Sequence, residues 1–248
     1  MPSEKGYIQF FDSIEFLLKR VRETQGPNIE KAAQIVSDSI ANDGIIHVFG
    51  AGHSNLLAEE ISFRAGTLAP VDHVVDISIS GTVNVVRSAY LERLEGSGAV
   101  IFNSIHAAPQ DAFIVISNSG RNAAPIEIAR DAKAADHKVI ALTSVTYSKS
   151  QPSRHPSGEL LLDFADVVVD NCGNLGDVSV FIPGMKQGVG PTSTIAGGYA
   201  LHAIMVQAVF NLKAAGVEPP VFLSGNFDEG MEFNEVFLNR YWSRMRNW

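Results

Sequence analysis

The chain has 248 residues, of which 46% are hydrophobic, and a formal net charge of −8 at pH 7. A chain of this size can bury a full core without disulfides or structural metals. An acidic chain without clusters of Lys and Arg is poorly suited to the phosphate backbone of nucleic acids, so we expect no nucleic-acid partner. The single cysteine, Cys172, excludes an internal disulfide framework and a cysteine-based zinc site.

The sequence also bears on the cellular compartment. The first residues, MPSEKGYIQFFDSIEF, lack a basic stretch followed by an apolar one, and no apolar run reaches the ~18 residues of a membrane span. A lone cysteine fits a reducing environment. We therefore expect a cytoplasmic protein with no membrane partner.

The first half of the chain alternates between helical and strand patterns. Apolar spacing predicts helices over 7–23, 29–41 and 55–65 and strands over 45–49 and 71–77. Residues 78–110 are less regular, with a helix near 83–94 and a further segment near 98–106. A glycine-rich turn at 50–54 joins the first strand to the third helix.

The second half continues the alternation. Its predicted strands are 113–116, 139–142 and 167–169, and its predicted helices are 123–135, 194–214 and 231–245. Residues 144–160 and 171–190 are expected to be irregular because they are rich in Ser and Pro or in Gly. Helices that alternate with short buried strands predict an α/β fold with a parallel, doubly wound sheet.

The turn Ser117–Asn122, SNSGRN, follows a predicted strand and precedes a predicted helix. Backbone N–H groups and the positive end of a helix favour an anion at such a place. Ser117 and Ser119 provide hydroxyls for the oxygens of a phosphate monoester, Gly120 permits close backbone approach, and Asn122 can cap the helix. The alternative is an ordinary turn that starts a helix.

A second turn, Gly50-Ala51-Gly52-His53-Ser54, follows the first predicted strand. It departs from the G-x-G-x-x-G pattern, because Asn55 stands at the position of the third glycine. A substrate-lining loop is therefore a better interpretation than a dinucleotide site. Ser54 is a candidate ligand contact, with a helix N-cap as the alternative.

Together these motifs resemble the sugar isomerase (SIS) domain. The resemblance rests on the glycine-rich turn with Ser54, the S-x-S-G motif at 117–120, a strand that ends in Thr143, and the segment GPTST at 190–194. The segments SRHPSG at 153–158 and SGNFDEGMEFN at 224–234 are closest to the UPF0309 group, a phosphoheptose isomerase-like subgroup. The resemblance covers about residues 28–235.

The resemblance implies a three-layer α/β/α sandwich around a five-stranded parallel sheet. We expect a single domain over 1–248, with a core at about 28–216 and helical extensions at 1–27 and 217–248. The ligand would be a sugar phosphate or an amino-sugar phosphate, and the protein would be a homodimer or homotetramer. The implied ligand-binding residues are Gly52, Ser54, Ser117, Ser119, Gly120, Asn122 and Thr143.

The catalytic residues carry over less directly. In zinc-containing heptose isomerases the first helix supplies a His and, four residues later, a catalytic Glu, and the matching positions are Glu60 and Arg64. A Glu–Arg couple favours an ion pair over a metal site. We therefore expect no metal and no cofactor.

Aldose–ketose isomerisation needs a base beside the carbonyl and groups that move protons between oxygens. Glu60, with Glu59 beside it, is the candidate base, and His202 and His53 are candidate proton carriers. Each also has a structural interpretation, as a solvated glutamate or a hydrogen-bonded core histidine. The leading hypothesis is a phosphosugar isomerase. The alternatives are a phosphosugar lyase or deaminase and a non-catalytic phosphosugar sensor.

Overall fold

The computed structural model describes residues 5–81 and 83–245. Five parallel strands form its sheet, in the order β2-β1-β3-β4-β5. Their bounds are β1 Ile46–Gly50, β2 Val71–Val74, β3 Ala112–Ile116, β4 Lys138–Thr143 and β5 Val167–Asp170. The strand order confirms the predicted doubly wound sheet.

Helices cover both faces of the sheet. Their bounds are α1 Gly6–Thr24, α2 Gly26–Ala41, α3 Asn55–Glu60, α4 Val85–Leu91, α5 Ser97–Ile105, α6 Ala123–Ala134, α7 Val145–Lys149, α8 Ser193–Ala214 and α9 Gly230–Tyr241. Short 3₁₀ turns lie at Gly52–Ser54, Leu161–Phe164 and Leu175–Asp177.

The strands are buried on both faces because alternate side chains enter two cores. Ile114 and Ile116 of β3 pack into a core with α1, α2, α3 and α8. Phe113 and Val115 of the same strand pack into the other core with α5 and α6. A central parallel strand is buried on both faces and therefore needs apolar residues at every position. The continuous apolar runs at 113–116 and 139–142 therefore predicted such strands.

The prediction was wrong in several places. The helix predicted to reach residue 65 ends at Glu60, and Phe63 takes a left-handed backbone with φ of 44°. The strand predicted to reach residue 77 ends at Val74, and the Asp76 carboxylate beyond it accepts the Ser78 amide at 2.8 Å. Within the predicted loop 144–160, Ser144 Oγ accepts the Tyr147 amide at 3.2 Å and starts the short helix α7.

Helix α8 is the longest helix of the described chain. By length and composition alone it would be long and apolar enough to cross a membrane. Its buried residues, including Ala200, Leu201, Ile204 and Ala208, instead pack within the core shared with α2 and the sheet. This packing makes α8 a core helix of the domain.

The C-terminal extension packs at the amino-terminal ends of the strands. Within the extension, Asn234 of α9 accepts the Leu223 amide and donates to the Leu223 carbonyl, each at 2.9 Å. Arg244 donates to both carboxylate oxygens of Asp111 at 2.6 and 2.8 Å. The extension is thus held by specific polar contacts as well as by the apolar packing of Tyr241.

A buried histidine, His47 of β1, lies near the same ends of the strands. His47 is 2% exposed, and its two ring nitrogens lie 2.9 Å from Asp72 Oδ2 and 3.1 Å from Asp111 Oδ2. Ionised carboxylates only accept hydrogen bonds, so both ring nitrogens must donate and the imidazole is charged. Burial alone would lower the pKa of His47, but the hydrogen bonds to Asp111 and Asp72 outweigh it and raise this pKa. Burial alone would raise the pKa of Asp111, but the hydrogen bonds from His47, Ile45 and Arg244 outweigh it and lower this pKa to about 2.

Candidate functional site

A cavity of about 430 Å³ opens at the carboxyl ends of β1 and β3. The strand order reverses between these two strands, and ligands of open α/β sheets bind at such a switch point. The lining includes residues from the two predicted turns, from α4 and from the C-cap of α4: Gly52, His53, Ser54, Ser88, Glu92, Ser117, Asn118, Ser119 and Asn122. The structure therefore brings both predicted turns to one cavity.

The turn after β3 offers hydrogen-bond donors that the protein leaves unused. In the described part of the chain, the backbone N–H groups of Ser119, Arg121 and Asn122 donate to no protein group, and Ser119 Oγ has no protein partner. Ser117 Oγ accepts the Gly120 amide at 3.1 Å, which leaves its own proton for a ligand. Together with the N-terminus of α6, these donors suit a phosphate.

Two predicted ligand contacts lie behind this turn instead. Thr143 is fully buried, and its Oγ1 donates to the carbonyl of Asn118 at 3.2 Å. Gly120 has φ of 60°, and a Cβ at that position would lie 2.9 Å from Ser148 Oγ. Neither residue lines the cavity. Thr143 instead supports the turn through its hydrogen bond to Asn118, and the left-handed backbone at position 120 favours glycine there.

Asn122 lines the cavity, but its side chain is already engaged. It occupies the N-cap position of α6 without capping the helix. Its amide nitrogen donates to Glu92 Oε1 and its amide oxygen accepts from Arg154 Nη1, each at 2.9 Å. The predicted capping bond is therefore wrong, and the backbone N–H of Asn122 is a donor that no described protein group accepts.

Glu92 is a cavity residue that the sequence did not point to. Burial raises the pKa of its carboxyl, and the nearby Arg93 and Arg154 partly oppose the rise. Its backbone carbonyl also accepts the Ala124 amide of α6 at 3.0 Å. A carboxyl group near the predicted phosphate turn is unexpected because both groups are acidic. No sequence motif around residue 92 predicts it.

The turn after β1 closes tightly on itself. A Cβ at Gly50 would lie 2.4 Å from the backbone carbonyl atoms of Ser54, so only glycine fits there. Ser54 stands at the N-cap of α3, but its hydroxyl makes no capping bond and lines the cavity, as does the exposed His53. This geometry favours the ligand-contact interpretation of Ser54 over the N-cap alternative.

The candidate catalytic residues Glu60 and His202 lie together in an adjoining open groove. His202 Nε2 lies 3.3 Å from Glu60 Oε1, and Arg64 forms an ion pair with the same carboxylate. All three side chains are about half exposed, and Glu59 lines the groove beside them. The groove and the cavity share Leu56, Leu57 and Thr194, so they are continuous. The predicted Glu60–Arg64 ion pair is confirmed, although α3 ends before Arg64.

Asp177 closes the far wall of the cavity. Its carboxylate accepts the backbone amides of Thr192 and Ser193 at 2.9 and 2.8 Å and the Ser193 hydroxyl at 2.6 Å. An anion at the N-terminus of a long helix is stabilised by the helix dipole. Asp177 therefore fixes the start of α8 against the cavity, a role that sequence reasoning missed.

Among the residues that the structure describes, no group of three or more His, Cys, Asp or Glu side chains is arranged to hold a metal ion.

Comparison with known proteins identifies relatives over nearly the whole chain. Residues 9–144 match the SIS domain family. A UPF0309 protein of Geobacillus kaustophilus is 40% identical over 96% of this chain and 94% of its own, and one of Streptomyces griseus is 38% identical over 99% and 98%. Among solved structures, phosphoheptose isomerase from Francisella tularensis aligns with a TM-score of 0.55 at 17% identity, covering 84% of this chain and 98% of its own. The Vibrio vulnificus NanR protein complexed with ManNAc-6P aligns with a TM-score of 0.52 at 13% identity, covering 99% and 72%.

Proposed function

This chain belongs to the SIS domain family, within its UPF0309 group, and from that premise we propose that it binds a sugar phosphate or an amino-sugar phosphate in the cavity. The observation that carries the proposal is the turn after β3, where two serine hydroxyls and three unused amides meet at the start of α6. Ser54, Gly52 and His53 on the opposite turn would contact the sugar. A phosphoheptose isomerase and the NanR protein complexed with ManNAc-6P share the fold, so both catalysis and binding without catalysis are considered.

The catalytic part of the proposal is aldose–ketose isomerisation. Glu60 removes the proton beside the carbonyl, and the resulting enediolate is reprotonated at the neighbouring carbon. His202, 3.3 Å from the same carboxylate, moves protons to and from the sugar oxygens. Arg64 orients the carboxylate through its ion pair. A lyase or deaminase that acts on a phosphorylated amino sugar would use the same phosphate turn.

The second candidate function is a non-catalytic phosphosugar sensor. One observation favours it: Glu60 is held by Arg64 in the adjoining groove and does not line the cavity. Arg64 also stands where the resemblance to heptose isomerases implies their catalytic Glu. A sensor needs the phosphate turn but no base beside the sugar carbonyl.

Two measurements separate these functions. A thermal-shift panel compares glucosamine 6-phosphate, glucose 6-phosphate and fructose 6-phosphate with the corresponding free sugars. A ligand that binds only the folded state raises the melting temperature. The proposal expects shifts with phosphorylated sugars alone, and equal shifts with the free sugars would contradict it.

The bound phosphosugars are then incubated with the protein in heavy water and followed by proton NMR. Isomerisation introduces solvent deuterium beside the carbonyl. Glu60→Gln should slow this exchange by about 10²–10⁴-fold, the range typical of general base catalysis. Glu59→Gln, on an exposed neighbour in the same groove, is the matched control and should exchange like the wild type. Tight binding without exchange in the wild type would favour the sensor.

We further propose that the protein is cytoplasmic and forms a homodimer or homotetramer. Several apolar side chains of α8 are exposed although other residues of the helix pack in the core: Ile195, Tyr199, Val206 and Phe210 are 42–67% exposed. These residues are spaced by four, seven and four positions, which places them on one stripe of the helix. Sedimentation should show an oligomer that the double substitution Val206→Lys and Phe210→Lys dissociates. A wild-type monomer would contradict this part of the proposal.

A further inference from the structure

Three guanidinium groups, those of Arg93, Arg121 and Arg154, lie beside the N-terminus of α6. The chain is acidic overall, with 27 Asp and Glu against 19 Lys and Arg. In the described part of the chain, the arginine ion pairs are those of Arg64, Arg130, Arg240 and Arg244. The three arginines at α6 therefore remain without an ion pair.

Their proximity is visible in several contacts. Arg154 donates its backbone amide to the carbonyl of Arg121 at 2.8 Å, and its Nη1 donates to Asn122 Oδ1 at 2.9 Å. Burial and then repulsion by Arg93 and Arg121 lower the pKa of Arg154. Glu92 and Tyr147 act on Arg154 in the opposite direction. Three cations against one carboxylate leave the cluster with excess positive charge.

The cluster also contains an unsatisfied donor. Arg121 Nε is buried and has no hydrogen-bond partner. A buried donor without a partner destabilises the fold, and an anion that accepts from the guanidinium would remove this penalty. Guanidinium groups bind phosphate and carboxylate oxygens with matched, often bidentate geometry. The repulsion and the unpaired donor thus point to the same kind of ligand.

The cluster adjoins the cavity without lining it. Asn122, Glu92 and Tyr147 line the cavity, and each is linked to Arg154 by a hydrogen bond or by charge. Among the described residues, the cavity lining contains no Lys or Arg, and the hydroxyls and amides of the turn after β3 accommodate the first phosphate. We propose that Arg93, Arg121 and Arg154 form a second anion site at the rim, and that the ligand is a phosphosugar with a second phosphate or a carboxylate. This inference rests on the proposed function and narrows its substrate class.

Calorimetric titrations at constant ionic strength test the second site. The probes are fructose 6-phosphate with fructose 1,6-bisphosphate, glucose 6-phosphate with glucose 1,6-bisphosphate, and 6-phosphogluconate. At least one doubly anionic ligand should bind ten times more tightly than its monophosphate counterpart. Arg93→Gln, whose side chain forms no hydrogen bond or ion pair in the described structure, should reduce that advantage at least threefold. Arg22→Gln on α1 is the matched control and should retain it.

The outcomes distinguish the two proposals. Monophosphates that bind as tightly as every doubly anionic ligand overturn the second site and leave the proposed function standing. The second site is also overturned if Arg93→Gln and Arg154→Gln both bind the doubly anionic ligand as much more tightly than its monophosphate counterpart as the wild type does. The same holds if these variants change only the oligomeric state and leave the affinities unchanged. Failure of every phosphorylated ligand to bind overturns the proposed function and the second site together.

Discussion

Removing the Ser119 hydroxyl is the sharpest perturbation of the phosphate turn. Ser119 Oγ has no protein partner in the described structure, so Ser119→Ala leaves no buried group unpaired. One hydrogen bond to a charged group contributes about 1.5–3 kcal/mol. Because Ser119 is partly exposed, we take the lower end of this range, which corresponds to roughly tenfold weaker binding at about 1.4 kcal/mol per tenfold.

Calorimetry with a phosphosugar that raises the melting temperature measures the loss, and urea unfolding checks the fold. Ser119→Ala should bind about tenfold more weakly and unfold at the wild-type urea concentration. Ser104→Ala, at an exposed position of α5 that does not line the cavity, is the matched control. Ser117→Ala differs from both, because it also removes the acceptor of the Gly120 amide and should cost stability by about 1–3 kcal/mol. Wild-type affinity in Ser119→Ala, with unchanged stability, would refute the reasoning.

Further predictions concern the fold around the site. Gly50→Ala should destabilise the protein strongly, because the new Cβ would lie 2.4 Å from the Ser54 backbone; a urea midpoint equal to that of the wild type would contradict this. The stability from His47 is present below pH 6.5 and is lost as the pH rises through its raised pKa, so the ring should stay protonated above pH 6.5 in NMR titrations; a ring that titrates at or below 6.5 contradicts the assignment. The stability from Asp111 is present above its ordinary pKa of 3.8 and is lost as the pH falls towards 2, which acid unfolding with Asp111→Asn as comparison should show.

The sequence was informative where local physics decides the structure. The runs at 113–116 and 139–142 are apolar on both faces, and only a central parallel strand buries both faces. The Ser117–Asn122 turn was found because hydroxyls and glycine between a strand and a helix have a local meaning. Its position at the cavity then followed from the fold.

Other parts of the site depend on contacts between distant residues. Glu92 faces the cavity because its neighbours pack against the start of α6, more than 25 residues away in sequence. His155 lies in a polar segment yet is 6% exposed, 3.3 Å from the buried carboxylate of Glu127. Glu60 and His202 were proposed separately, and only the packing of α8 on α3 brings them together. Sequence patterns carry no record of such pairings.

Amide NMR of ¹⁵N-labelled protein tests the central claim most directly. Titration with glucosamine 6-phosphate should shift the backbone resonances of Ser119, Arg121 and Asn122, whose N–H groups the protein leaves unused. Titration with glucosamine should leave these three resonances in place. A phosphosugar that binds without moving them, or that moves resonances at a different edge of the sheet, would contradict the assignment of the turn as the phosphate site.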